Sequence, residues 1–235
     1  MEKIEVSVII PAYNEEKYIG ACLASIRRQK FSKKYEIILG DGGSKDNTQK
    51  IARDHGTRVV EENYGTPSGG RHAATKVAKG KLFFFVSADV EVCQGWMQNM
   101  YNAFADKKVS WALGSVTPLE GNWLEKLGAD VLNLISDTFN PFGIAYVNAD
   151  NLAVRAAAYR KVGGFNPKLV TSEDTDLGMR LMKSGKFVFA WKATVMLSMR
   201  RVRKWGYLRF ALFHTSNFFS THLFSNTAQR YEPIR

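Results

Sequence analysis

Three short polar clusters in this sequence each follow an apolar run, and their side chains are of the kinds that hold a nucleotide. Pro11, Ala12, Tyr13, Asn14 and Glu15 follow residues 6–10; Asp41 follows residues 37–39; Ser87, Ala88, Asp89, Val90 and Glu91 follow residues 82–86. In open α/β sheets ligands bind beyond the carboxyl ends of the strands, so such clusters on neighbouring strands converge on one rim. Tyr13 can offer a ring face to a base, and Asp41 can accept hydrogen bonds from a base edge or a ribose hydroxyl. Asp89 can hold a divalent cation between two phosphates, because hard oxygen ligands suit magnesium or manganese. Arg71 offers a planar fork to a phosphate or to nearby carboxylates. Singly, each has a plainer reading: a Tyr after a strand packs, and an Asp beside Gly forms a turn. Their shared position is what favours a site.

The elements that must position these residues follow from periodicity. The first half alternates apolar runs with amphipathic stretches, the pattern of βαβ units around a mainly parallel sheet. Strands are predicted at 6–10, stopped by Pro11, at 37–39, at 59–60 and at 82–86, the last apolar throughout and so buried on both faces. Ile19, Cys22, Leu23 and Ile26 recur at helical spacing, a second helix runs to about Asp54, and a small-residue helix covers 70–78 before Gly80. The second half is less regular. Helices are marked by Trp96, Met97 and Met100, by Leu124, Leu127, Val131 and Ile135, and by Leu177 and Leu181; strands are predicted at 111–116, 187–190 and 195–197, with an extended stretch at 147–154.

With 235 residues, 45% of them hydrophobic, the chain can bury the core of one compact unit. No linker or internal repeat divides it. Cys22 and Cys93 lack CxxC spacing and read as free thiols of a reducing compartment. No apolar run has the length of a signal peptide or a membrane span, which predicts a cytoplasmic protein, with peripheral attachment to the inner face of the membrane left open. The net charge of +11, from 33 Lys and Arg against 22 Asp and Glu, predicts attraction to an anion. Nucleic acid has only that charge in its favour and is not expected as a partner.

Taken together, the runs VSVIIPAYNEEKYIGACLASIRRQ, EIILGDGGSKDNT, GGRHAATKVAKGKLFFFVSADVEV and NADNLAVRAAAYRKVGGFNPKLVTSEDTDLGMRLMKSGK resemble the inverting family 2 glycosyltransferases in order and spacing. Four ordered blocks, reaching to about Lys192, are far more specific than any one. The resemblance implies a GT-A fold: an α/β, Rossmann-like three-layer sandwich around a mixed, mainly parallel sheet. Residues 1–110 become a nucleotide-sugar-binding half, 111–199 an acceptor-side half, and 200–235 a basic, aromatic tail, all in one compact domain. The implied activity is transfer of a sugar from a nucleoside diphosphate sugar, most often a UDP-sugar, to a glycan or lipid-linked acceptor. The resemblance places Pro11, Ala12, Tyr13, Glu15 and Asp41 around the nucleoside and makes Arg71 a donor-side contact. Ser87, Ala88 and Asp89 stand where the family has its DxD signature.

That last block departs from the family pattern, because Ser87 replaces the first carboxylate. Asp89 remains as the expected ligand of Mn2+ or Mg2+, and Glu91, two residues on along an alternating strand, is either a second ligand or a solvent-facing side chain. Many relatives carry a metal-binding His near 195–198; here that segment reads TVMLSMRR, and His55, His72, His214 and His222 show no ligand spacing. The run Thr171, Ser172, Glu173, Asp174 resembles the family's ED motif. It implies Asp174 as the base that takes the acceptor proton, with Glu173 in support. An N-cap followed by first-turn acids explains the same residues equally well. The stretch Asn148, Ala149, Asp150 and Asn151 falls where relatives line the acceptor side of the cleft, with Asn151 expected near the active site and no chemistry assigned to it. Arg200, Arg201 and Trp205, in the tail, are candidate donor or acceptor contacts. The tail itself is read in three ways: docked on the body, lying on a membrane, or forming a dimer contact.

Overall fold

The structure, a computed structural model, describes residues 3–224. Its centre is an eight-stranded sheet. The strands are β1 (Val6–Ala12), β2 (Tyr35–Asp41), β3 (Arg58–Glu61), β4 (Leu82–Phe85), β5 (Val90–Val92), β6 (Val109–Leu119), β7 (Leu152–Arg155) and β8 (Lys186–Ser198), in the order β3-β2-β1-β4-β7-β6-β8-β5. β1 to β4 are mutually parallel, β7 runs antiparallel between β4 and β6, β8 is parallel to β6, and β5 is antiparallel at the edge.

β1 does not stop at Pro11 but runs through it to Ala12. The reason is local. Ile9 accepts from the Val86 amide on the β4 side, and the ladder to β4 ends at Ile9 and Phe85. Residue 11 faces the same side, beyond the last partner, so the missing proline N–H forfeits no ladder bond.

Helices α1 (Ile19–Arg27), α2 (Thr48–Asp54) and α4 (Trp96–Asn102) cover one sheet face; α3 (Pro67–Val77), α6 (Ala156–Lys161) and α7 (Glu173–Leu181) cover the other. Alternate residues of the apolar strands feed the two cores: Val8, Ile10 and Phe84 one, Ile9, Phe83 and Phe85 the other. α3 begins three residues earlier than the small-residue run suggests, because the Thr66 hydroxyl caps it at the Gly69 amide and Pro67 takes the first turn. It packs directly on β2. A Cβ on Gly40 would lie 2.0 Å from the Gly70 carbonyl oxygen, so only glycine allows this approach.

Two other expectations are corrected. Residues 187–190 and 195–197 belong to one long strand, β8, whose register to β6 shifts at a bulge. Residues 147–154 are not continuously extended: a 3-10 turn at Ala149–Asn151, capped by the Asn148 side chain, precedes β7.

The helix α5 (Trp123–Phe139) is inverted. Leu124, Leu127 and Val131 mark it in the sequence, yet they are exposed, whereas its buried residues are Glu125, Asn133 and Ser136. Asn133 explains the orientation, since its amide both donates to the Val116 carbonyl and accepts from the Val116 amide at 2.8 Å. α8 (Arg200–Trp205) and α9 (Tyr207–Phe224) complete the described chain.

Candidate active site

The carboxyl ends of β1, β2 and β4 lie side by side, as the strand order requires, and a connected set of polar side chains crosses the rim above them. Asp41 is fully buried at the end of β2. Its carboxylate accepts from the amides of Gly43 and Ser44, from the Ser44 hydroxyl and from Gln49. It therefore organises the β2–α2 loop, and any contact it makes to a base or ribose has to share oxygens already engaged. Tyr13 stands next to that loop, 42% exposed, with its Cβ 3.6 Å from where a Cβ on Gly42 would sit. Pro11 and Ala12 are buried in the strand end. Asn14, in the left-handed region at φ 53°, ties the β1 loop to Ser44 and Lys45.

Arg200, at the start of α8, closes the rim between β1 and β4. Its guanidinium donates to Glu15 at 2.6 Å and to Asp89 at 2.9 Å, and it lies 4.5 Å over the Tyr18 ring. The third nitrogen, Nη1, is buried with no protein acceptor. Burial pushes the Asp89 carboxyl above its usual range; Arg200 opposes the shift and Asp150 adds to it. Asp150 also accepts a hydrogen bond from the Ser87 hydroxyl, so the serine that replaces the first DxD carboxylate brings in a carboxylate from another element. Ala88 is buried behind them. Glu91 is half-buried on β5; burial first, then the charges of Asp89 and Glu91, push the Cys22 thiol up.

Across the rim, Asp174 accepts from the Thr175 amide at 2.8 Å and from the Ala149 amide at 3.4 Å. Its carboxyl is pushed up to about 7 by burial and by the neighbouring Glu173, against the pull of Arg71. Glu173 forms a 2.8 Å ion pair with Arg71, which is 3% exposed, lies 5.3 Å over the Phe165 ring, and keeps a buried Nε without a protein acceptor. The residue before this pair, Ser172, is the N-cap of α7 but sits at φ 54° and makes no side-chain cap. Glu173, Asp174 and Asp176 stand in the first turn of α7, where the helix dipole favours acids, with Glu173 paired to Arg71 and Asp174 accepting from the Ala149 amide.

One expected residue lies elsewhere. Asn151 is fully buried, donates to the carbonyls of Ser115 and Ala193 at 2.8 and 2.7 Å, and accepts from the Trp96 indole at 2.9 Å. With its amide consumed in this way it cannot line an acceptor site; it pins β6 and β8 to α4. Asn151→Ala is expected to cost about 3 kcal/mol, roughly 1 kcal/mol per orphaned partner, seen as a lower urea midpoint with nucleotide affinity unchanged. Trp205 is packed within the tail, with Arg201 and Arg209 over its ring at 5.5 and 5.0 Å. The sequence puts Asp150 only within the acceptor-side stretch and gives Tyr18 no role. Asp150 lies beside Asn151, but the 3-10 turn sends one side chain into the cleft and the other into the core.

Among the described residues no three His, Cys, Asp or Glu side chains are grouped to hold a metal ion. The donors nevertheless fit magnesium or manganese, which are commonly held by one or two carboxylates together with substrate phosphates. Asp89 and Asp150 are two such carboxylates, close enough that the charge of Asp150 helps to push the Asp89 carboxyl up.

The sequence profile of Glycosyl transferase family 2 matches residues 7–162. Glycosyltransferase AglE of Haloferax volcanii is 27% identical over 190 residues, covering 77% of this chain and 62% of that protein. The poly(ribitol-phosphate) beta-glucosyltransferase of Bacillus spizizenii is 30% identical over 131 residues, covering 52% of this chain and 21% of its own length. The chain thus spans less than two thirds of either relative. Among solved structures, the mannosyltransferase PcManGT from Pyrobaculum calidifontis, in complex with GDP-Man and Mn2+, matches at a TM-score of 0.74 with 20% identity, over 97% of this chain and 66% of that one. S. aureus TarS 1–349 in complex with UDP matches at 0.70 with 19% identity, over 95% and 74%. The eight-stranded mixed sheet with helices on both faces is an α/β GT-A fold.

Proposed function

Because the chain belongs to glycosyl transferase family 2, we propose that its rim of carboxylates and guanidiniums transfers a sugar from a nucleoside diphosphate sugar, a UDP-sugar first, to an acceptor hydroxyl with inversion. The observation that carries this reading is Arg200 bridging Glu15 and Asp89 on one side of the cleft, with the Asp174–Glu173–Arg71 group on the other. Arg200 Nη1 is a buried donor without a protein acceptor. A diphosphate supplies the acceptor that such a group requires.

In this scheme Tyr13 flanks the base, the loop held by Asp41 shapes the nucleoside pocket, and Arg200 neutralises the leaving diphosphate. Asp89 and Asp150 would hold a divalent cation, which when bound supplies further neutralisation of that leaving group. Asp174 takes the proton of the attacking hydroxyl. The new C–O bond forms on the face opposite the breaking bond to the diphosphate, which leaves as the nucleoside diphosphate. A carboxyl near 7 suits this task. It also favours a glycan hydroxyl over a lipid phosphate as acceptor, since a phosphate is already ionised and needs no base. Glu173 and Arg71 hold the loop that presents Asp174.

A second reading, a non-catalytic protein that binds a nucleotide sugar or lipid head group, is favoured by Ser87 and by the pairing of Asp89 with Arg200. Incubation with UDP-, GDP- and dTDP-sugars and a membrane-glycan extract distinguishes the two. Release of nucleoside diphosphate that depends on the extract is expected from the enzyme. Binding without release, for every donor, would favour the second reading.

A further inference from the structure

The apolar side of α5 faces solvent. Leu124, Leu127, Val131 and Leu134 follow one another at intervals of three, four and three residues, which puts them in a single row, and each is exposed, Leu127 at 51% and Leu134 at 59%. Trp123, 76% exposed, extends the row at its start, and the exposed Trp191 borders it, its indole donating to Asp137 at 3.0 Å. The opposite side of the helix is the one used inside the chain, where Glu125, Asn133 and Ser136 are buried. A surface helix in water has the reverse arrangement, so the row marks a contact surface.

Spacing, area and one glycine say what covers it. Rows at alternating intervals of three and four are those that two helices mesh, the ridges of one in the grooves of the other, so this row is complementary to itself. Taking about 200 Å² for a fully exposed large side chain, these six residues present roughly 650 Å². Covering them on two copies removes about 1,300 Å², inside the roughly 1,200–2,000 Å² of a stable interface. Gly128 stands exposed in the interior of the helix, beside Leu127, and a Cβ built on it meets nothing within 4 Å. Glycine there costs the helix about 1 kcal/mol relative to alanine. Packing within the chain does not require it, whereas close approach of another backbone does. Charge speaks against a bilayer as the occupant: α5 carries Lys126 against Glu125, Asp130 and Asp137, and a helix lying on a membrane has Lys and Arg on its polar face.

We propose that this face is the interface by which two copies of the chain pair, α5 on α5 about a two-fold axis, with Gly128 letting the backbones approach and the leucine rows interleaving. The pairing does not rest on the transferase reading, since Glu15, Asp41, Asp89, Asp174 and Arg200 all lie outside α5.

Sedimentation velocity of the full chain across a concentration series is the test. A dimer of twice the 26.4 kDa chain mass is expected at micromolar concentration. Leu127→Glu/Leu134→Glu should leave the chain monomeric, with its circular-dichroism spectrum unchanged because both positions are exposed. Gly128→Leu should weaken the dimer about tenfold or more by overfilling the close approach, although the single chain has room for the side chain. A chain that stays monomeric up to about 100 µM, or a dimer that either variant leaves unchanged, overturns the proposal. So does a monomer that binds phosphatidylglycerol vesicles, and binds them more tightly with Gly128→Leu, which would give the face to lipid.

Discussion

Asp174→Asn is expected to lower transfer by about 10²–10⁴-fold, the range for loss of a general base, and at the same time to stabilise the protein at pH 8. The two effects share one cause. Burial and Glu173 hold the Asp174 carboxyl up, to about 7, so the folded protein favours its neutral form. A carboxyl raised in the folded state contributes stability below its unfolded pKa and loses it as pH rises through the folded one, here between about 4 and 7. Asparagine is neutral throughout, so the gain should be seen at pH 8 and vanish near pH 4. A gain of ~1 kcal/mol corresponds to about 2–4 °C in a chain of this size. The same titration makes wild-type turnover rise with pH through about 7 on its acid limb, because the base works ionised. Retained turnover in Asp174→Asn would remove the residue from the base role; lost turnover without the pH-dependent stabilisation would show that the carboxyl is not held as described.

Arg200→Ala should be the most damaging change at the donor side. It leaves Glu15 and Asp89, with side chains 14 and 23% exposed, without their shared counter-charge. Fully buried pairs lose about 3–5 kcal/mol when one partner is removed and exposed pairs about 1 or less; these lie between, at about 2 kcal/mol. The loss should deepen as pH rises. Asp89 is already held up by burial, and without Arg200 its folded-state pKa moves further up, so keeping it ionised costs more. Mn2+ or Mg2+ should restore melting temperature in Arg200→Ala and change it little in the wild type, where the guanidinium occupies the carboxylates. Equal responses to metal in the two proteins would count against Arg200 as the built-in cation of this rim.

Much of this arrangement is legible in the sequence, for reasons that are physical and local. The apolar runs that become β1, β2 and β4 show both their burial and their ends, and the residues at those ends must reach the rim. The ED run is equally local. Contacts between remote segments leave no such trace: Arg200 and Glu15 are 185 residues apart, and nothing in either neighbourhood names the other. Asn151 misleads because a 3-10 turn, not a strand, decides which of two adjacent polar side chains faces the cleft. α5 misleads differently. Periodicity shows that a helix has an apolar face but not which way it points, and a reciprocal pair of hydrogen bonds between Asn133 and the Val116 backbone turns this one outward.

Calorimetric titration of the chain with UDP, with and without Mn2+, tests the crevice most directly. The account predicts saturable binding of one nucleotide per chain, unaltered by Leu127→Glu/Leu134→Glu and weakened about tenfold or more by Arg200→Ala, as loss of a charged hydrogen bond requires. Absence of binding to UDP, GDP and dTDP alike, in a folded chain, would contradict it.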